Sequence, residues 1–313
     1  MGIHIYILRR LLYIIPLILG VCLIIFLLFN VMAGDPTHLL LGKHATVEQV
    51  RELRAELGID RPWFIQYFDL VKSSFTFNFG RSWSTKQQIS SMIFQGIGPS
   101  LTLTVPAFTL GTIISIILSL FVAFYRGKFL DKMIVFICVA MMSISSLVYI
   151  LFGQWAFAFK LGWFEISGYE NGFPDCIAYI ILPIIIWIML TLGPDVRFYR
   201  TVMLDEIFQD YVRTARAKGL SEPVILFKHV LKNALIPIIT YVVISIPFLI
   251  LGALLLESFF SIPGLGGIVL KALNSNDFPV LRAMSILTSV LVILFNLVSD
   301  ILYTIVDPRV RLQ

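Results

Sequence analysis

The sequence predicts an all-α integral membrane protein with six transmembrane helices. Three observations carry this: an apolar composition, six long uncharged runs, and an uneven sharing of Lys and Arg between the segments that join them. Hydrophobic residues make up 58% of the 313 and charged residues only 14%, with a mean hydropathy of +0.91. A soluble domain carries about 25% charged residues. The runs give spans of about 11–34, 97–125, 133–159, 176–194, 233–256 and 283–304. A hydrocarbon core takes about 20 apolar helical residues, so each can cross, although the second overhangs and the last is uncharged only to Ser299.

An even number of spans puts both termini on one face. With the N-terminus in the cytoplasm, the inner segments hold 14 Lys and Arg and the outer segments 10. Seven of the outer ones lie in the long first loop, 35–96, and long loops translocate largely regardless of charge. Discounting it leaves Lys160, Lys271 and Arg282 outside, so both termini are expected in the cytoplasm. The net charge of +5 then follows from topology and calls for no nucleic acid. The apolar run after Arg9 and Arg10 exceeds the about 7–15 residues of a signal-peptide core, which predicts a retained anchor helix. Cys22, Cys138 and Cys176 give no paired framework and predict no disulfide.

The outer loop 35–96 is expected to be structured. Thr46 with Gln49 forms a capping box, Val47, Val50, Leu53 and Leu57 make an apolar stripe, and Gly58 closes the helix. Residues 62–68 are aromatic enough for the headgroup zone, and Phe75, Phe77 and Phe79 alternate with polar residues as in a short extended piece. The loop reads as a brace for the bundle. A Gly-rich segment at 262–267 lacks the Lys and Ser or Thr of a phosphate loop and reads as a surface or re-entrant turn.

Within the uncharged runs, Ser143, Ser145, Ser146, Gln154, Thr240, Tyr241, Ser245, Ser285, Thr288, Ser289 and Asn296 are the notable polar groups. Helix packing is the default role for such groups. A solute path is the alternative, for which Ser143, Ser146, Gln154, Tyr241, Ser245, Ser289 and Asn296 are the candidates. The runs hold no ionisable relay, which counts against a proton-coupled carrier. No G-x-x-x-x-G-K-[ST] motif exists, so ATP is not bound by that route. The four histidines are scattered, no metal site is expected, and no nucleophile stands beside a base, so no enzyme is expected either.

The densest positive charge lies at 210–237. A helix-forming run from Tyr211 to Lys218 stops at Gly219, and Ser221 can cap a second helix with Pro223 in its first turn. The geometry is helix, sharp turn, helix on the cytoplasmic face. Ala215, Ala217 and Leu220 would permit close approach of a partner, with Arg213, Arg216 and Lys218 orienting it. A basic loop that merely fixes topology is the equal alternative from these residues alone.

Tyr211, Val212, Arg213, Thr214, Ala215, Arg216, Ala217, Lys218, Gly219 and Leu220, followed by His229, Leu231 and the run from Asn233 to Pro237, resemble the coupling loop of permeases of binding-protein-dependent ABC importers, in their dipeptide/oligopeptide branch. Further matches are Arg9, Arg10, Leu11 and Pro16; Gly34, Asp35 and Pro36; Leu57 to Pro62 with Gln66 and Tyr67; and Phe79 to Ser82. Leu161 to Phe164 with Ser167 and Gly168, Glu257 to Phe260 with Ile262 to Gly266, Asp300 to Tyr303, and Asp307 to Arg309 complete them. The general Glu-Ala-Ala pattern is incomplete, since Arg213, Thr214 and Ala215 precede Gly219. Ser145 and Glu165 stand where the family often has Pro.

The resemblance implies a heterodimer with a second, similar permease in a bacterial inner membrane, two cytoplasmic ATPase subunits that use ATP and Mg, and an external solute-binding protein. It implies no cofactor on this chain. It assigns 195–236 as the coupling loop, with Asp210, Tyr211, Arg213, Thr214, Ala215, Arg216, Ala217, Lys218, Gly219 and Leu220 receiving the ATPases. Di- or oligopeptides are the implied cargo, and nickel or glutathione importers of the same family are the near alternatives. A secondary carrier not driven by ATP and a membrane anchor are the readings from other classes.

Overall fold

In lipid a backbone has no water to bond, so charge-free runs of Leu, Ile, Val and Phe are satisfied as helices. The computed structural model describes residues 3–32, 37, 41, 46–170, 172 and 174–306. In chain order the helices are α1 (Ile3–Phe26), α2 (Val47–Leu57), α3 (Trp63–Thr76), α4 (Ile89–Phe124), α5 (Phe129–Met142), α6 (Ser146–Gly153) and α7 (Ile177–Ile207). They continue as α8 (Asp210–Ala217), α9 (Glu222–Val224), α10 (Leu231–Leu251), α11 (Leu254–Phe259), α12 (Leu265–Asn274) and α13 (Phe278–Val306). Wider π-helical turns extend α1 over Leu27–Met32, extend α6 over Gln154–Lys160 and join α9 to α10 over Ile225–Val230. Among the described residues there is no strand, only an isolated bridge between Arg81 and Gln88.

Among the described residues five helical stretches are long and apolar enough to cross a membrane, and a bent pair, counted as one span, brings the number to six. That pair covers the expected span 133–159: Phe129–Met142 and Ser146–Lys160 meet at 90°. The break falls on three residues whose side chains or backbone leave the helical ladder. Ser143 Oγ donates to the Val139 carbonyl, and Ser145 turns extended at ψ 143°. Tyr149 OH then donates to the Met141 carbonyl at 3.0 Å, satisfying a group the break sets free.

Other helices outrun the uncharged stretches. α4 begins at Ile89 rather than near 97, and α7 continues through Pro194 to Ile207. Much of 195–236 is therefore helix. Pro106, Pro183 and Pro247 all lie inside helices. The core is built on α4 against α7, with α10 crossing α4 and α13, α5 lying on α7, and α1 on α13 and α3. All three cysteines are free and buried.

The segment between α1 and α4 carries the expected capping box: Gln49 N–H donates to Thr46 Oγ1 at 3.3 Å and Thr46 N–H to Gln49 Oε1 at 3.0 Å. Gly58 closes α2 in the left-handed region. Val50, Leu53 and Leu57 are partly covered, whereas Val47 stays exposed. The extended reading of 75–79 does not hold. Phe75 and Thr76 finish α3, and Phe77 takes a positive φ of 55°, which brings its ring 5.1 Å from that of Phe79. Alternation arose from a helix end, not a strand.

Buried Asp277, just before α13, fastens this loop. It accepts from the Ser82 and Ser84 hydroxyls at 2.5 and 2.8 Å and from the Trp83 and Ser84 amides at 3.1 Å each. Burial pushes its pKa up, but these four donors outweigh it and hold it below the ordinary aspartate range. A depressed folded-state pKa means the anchor is intact at neutral pH and weakens only as pH falls through that low value. In Asp277→Ala the donors are orphaned at about 1–3 kcal/mol each. Trypsin is expected to cut after Lys86 several-fold faster in membranes carrying that variant, and an unchanged cleavage rate would remove the anchor.

Candidate functional site

The charged segment at one end of the bundle is a knuckle seated on the core. α7 ends at Ile207, Gln209 turns extended, and α8 starts at Asp210 with the Val212 and Arg213 amides donating to the Gln209 carbonyl. The period of α8 places Val212 and Ala215 on one face. Both are buried against Tyr199, Met203, Ile207, Ile225, Val230 and Ile238. Arg213, Thr214, Arg216, Ala217 and Lys218 form the outer face, with Asp210 and Leu220 exposed at its ends. Ala215 is thus turned into the bundle, and close approach from outside falls to Ala217, Gly219 and Leu220.

Gly219 makes the turn. Its φ of +77° lies where an L side chain is strained by about 1–2 kcal/mol, and its N–H donates to the Arg216 carbonyl at 2.9 Å. Leu220 N–H returns to the Ala215 carbonyl at 3.3 Å. Across the turn, Arg216 grips Glu222 with Nε to Oε1 at 2.7 Å and Nη2 to Oε2 at 3.2 Å. That bond holds the guanidinium pKa above its already high value. Ser221 is extended but makes no side-chain cap bond, because Pro223 removes one of the two N–H groups such a cap serves. The Tyr211 hydroxyl donates to Glu206. Burial, then that bond, pushes its pKa up to about 12.

Two further contacts fix the knuckle's base, and neither is visible in the uncharged runs. Arg200 donates from Nε and Nη2 to the two oxygens of Asp131 at 2.9 and 3.0 Å, and Gly127 N–H adds a third bond to that carboxylate at 2.9 Å. Arg126 lies over the Phe208 ring, 4.4 Å from its centroid. The short loop after α4 is thereby clamped to the end of α7. Deeper in, Tyr241 OH donates to buried Asp195 at 2.9 Å.

The other candidate residues are dispersed. Ser143, Ser245 and Ser289 donate to their own helices four residues back, Ser146 is partly covered at the start of α6, and Asn296 is exposed on α13. Gln154 Nε2 donates to the Ile166 and Phe259 carbonyls at 3.1 and 3.0 Å, bracing the α6 extension against α11. None of the seven is among the described lining of a cavity of about 670 Å³ between the start of α4 and the α11–α12 turn.

The sequence reading missed Glu257, Asp195 and the Asp131–Arg200 pair. The available signal was position, since Asp195 and Glu257 each follow an uncharged run directly and the helical pattern continues past both. Among the described residues no three His, Cys, Asp or Glu side chains gather as a metal site.

Residues 115–312 match the family described as binding-protein-dependent transport system inner membrane component, and residues 3–104 match its N-terminal companion. A putative peptide transport system permease protein of Brucella abortus is 33% identical over 308 residues, covering 97% of this chain and 98% of the relative. A dipeptide transport system permease protein of Alkalihalophilus pseudofirmus is 30% identical over 329 residues, covering 98% and 99%. A glutathione transport system permease protein of Shigella flexneri is 32% identical over 311 residues, covering 98% of each. Matches that run through both the segment between α1 and α4 and the knuckle leave one conclusion: the chain belongs to the family of inner membrane permease components of binding-protein-dependent transport systems.

Proposed function

We propose that this permease forms half of the translocation path of an ATP-driven importer of di- or oligopeptides. A second, similar permease supplies the other half, two separate ATPase subunits bind and hydrolyse ATP with Mg, and an external binding protein delivers the solute. Both termini and the knuckle face the cytoplasm. The observation that carries this reading is the division of α8. Asp210, Arg213, Thr214, Arg216, Ala217, Lys218, Gly219 and Leu220 are exposed to a partner, while Val212 and Ala215 are locked into α7 and α10. A push on the outer face is therefore transmitted to two spanning helices, with partly covered Tyr211 at the seam.

Ser143, Ser146, Gln154, Tyr241, Ser245, Ser289 and Asn296 are proposed for the path. A hydroxyl that donates to its own helix keeps acceptor capacity for a passing amide N–H. The glutathione relative makes that tripeptide a cargo to assay beside di- and oligopeptides.

Reconstituted vesicles test the proposal. Uptake should require ATP, both ATPase subunits, the second permease and the binding protein together. Uptake by this chain alone without ATP would replace the importer with a secondary carrier.

A further inference from the structure

Away from the knuckle, α1, α3 and α13 enclose a polar cavity of about 300 Å³ whose lining includes Asn30, Arg61, Gln66, Asp69, Ser73 and Arg282. Arg282 Nη1 donates to Asn30 Oδ1 at 3.2 Å. Asn30 is itself held, its Nδ2 donating to Gln66 Oε1 at 3.0 Å while Gln66 Nε2 donates to the Ile59 and Arg61 carbonyls at 2.8 Å each. Among the described residues Arg282 has no carboxylate partner. A guanidinium has five N–H donors, so most of this one's capacity remains open in the cavity. Arg61 has only a 3.5 Å contact with Asp69, both side chains more than half exposed. Among the described residues, two guanidinium groups against one carboxylate leave the cleft one positive charge in excess.

We propose that this cleft binds the phosphate of an anionic phospholipid headgroup. A phosphodiester carries the single negative charge the cleft lacks, and guanidinium forks match phosphate oxygens. Surroundings select the lipid over a free anion. α3 exposes Trp63, Phe64 and Phe68, rings that settle at headgroup level. α1 exposes Ile24, Leu27 and Leu28 beside Asn30, an apolar surface for an acyl chain. The inference needs only the membrane-protein reading and is independent of cargo and ATP coupling.

The test uses the assembled transporter in nanodiscs of phosphatidylcholine with added phosphatidylglycerol, counting retained lipid by native mass spectrometry. The natural chain should hold one phosphatidylglycerol that millimolar inorganic phosphate or glycerol phosphate does not displace. Arg282→Gln should lower retention roughly tenfold, about 1.4 kcal/mol. Arg282→Lys should keep most of it, and Lys160→Gln, which removes an exposed charge outside the cleft, should change nothing. Equal retention in Arg282→Gln, equal retention of phosphatidylcholine, or an equal loss in Lys160→Gln overturns the site. Displacement by inorganic phosphate makes it a free-anion site and overturns the lipid. Should Arg282→Gln not assemble, Arg61→Gln at the exposed rim is read instead. A loss of about threefold is expected there, and no loss overturns the proposal.

Discussion

Gly219→Pro is expected to abolish solute-stimulated ATP hydrolysis and uptake while leaving the chain inserted in the membrane. Proline fixes φ near −65°, opposite in sign to the +77° at this turn, and it lacks the N–H that bonds the Arg216 carbonyl at 2.9 Å. The turn must therefore open, costing about 3 kcal/mol locally, and Arg216 loses its grip on Glu222. Nothing lies within 4 Å of a Cβ built at this position, so space is not the limit. Gly219→Asn, which tolerates the left-handed region, should accordingly keep more than half of the activity. The pair of variants separates turn geometry from bulk. Stimulated ATPase activity that survives in Gly219→Pro would show that the knuckle carries no force, and equal loss in both variants would make the glycine a docking surface rather than a turn.

What the sequence disclosed about this site was local, and what it hid was not. The stop at Gly219, the capping box of Thr46 and Gln49, and the Pro223 helix start are each written within a few residues and are read from spacing. Asp131 and Arg200 lie 69 positions apart, Ser100 and Glu257 157 apart, and Ser82 and Asp277 195 apart. No window on the chain pairs them. Counting uncharged runs also cut the helices short. α7 passes Pro194 although three charges follow: Asp195 is carried inside the fold by Tyr241 and Arg200 by Asp131, while Arg197 is exposed. Conversely, 133–159 contains no charge and reads as one span, yet the serine-rich residues at 143–146 allow the 90° bend. Hydropathy measures solubility in lipid and carries no record of helix direction.

Substitutions around Glu257 are expected to destabilise the helical bundle severely. This carboxylate is fully buried on α11 and has no Lys or Arg partner among the described residues. Instead its Oε1 accepts from Ser100 Oγ at 2.8 Å and the Ala253 amide at 3.0 Å, and its Oε2 from the Gly267 amide at 3.1 Å. Ser100 Oγ in turn accepts from the Leu265 amide at 2.8 Å, so α4, the start of α11 and α12 meet on one group. Glu257→Ala orphans three buried donors at about 1–3 kcal/mol each, comparable with much of a domain's net stability of about 5–15 kcal/mol. Glu257→Gln can point its NH2 at Gly267 alone, so a single donor is lost and the cost should be about a third as large. Gly264→Ala attacks the same knot from outside, because a Cβ there would fall inside van der Waals contact of both Glu257 and Ser100. The expected order of thermal stability for the assembled transporter is natural chain, then Glu257→Gln, then Glu257→Ala together with Gly264→Ala. If Glu257→Ala melts with the natural chain, the carboxylate is not what joins α4, α11 and α12. If Glu257→Gln is as damaging as Glu257→Ala, the knot depends on the charge itself rather than on the number of bonds it accepts.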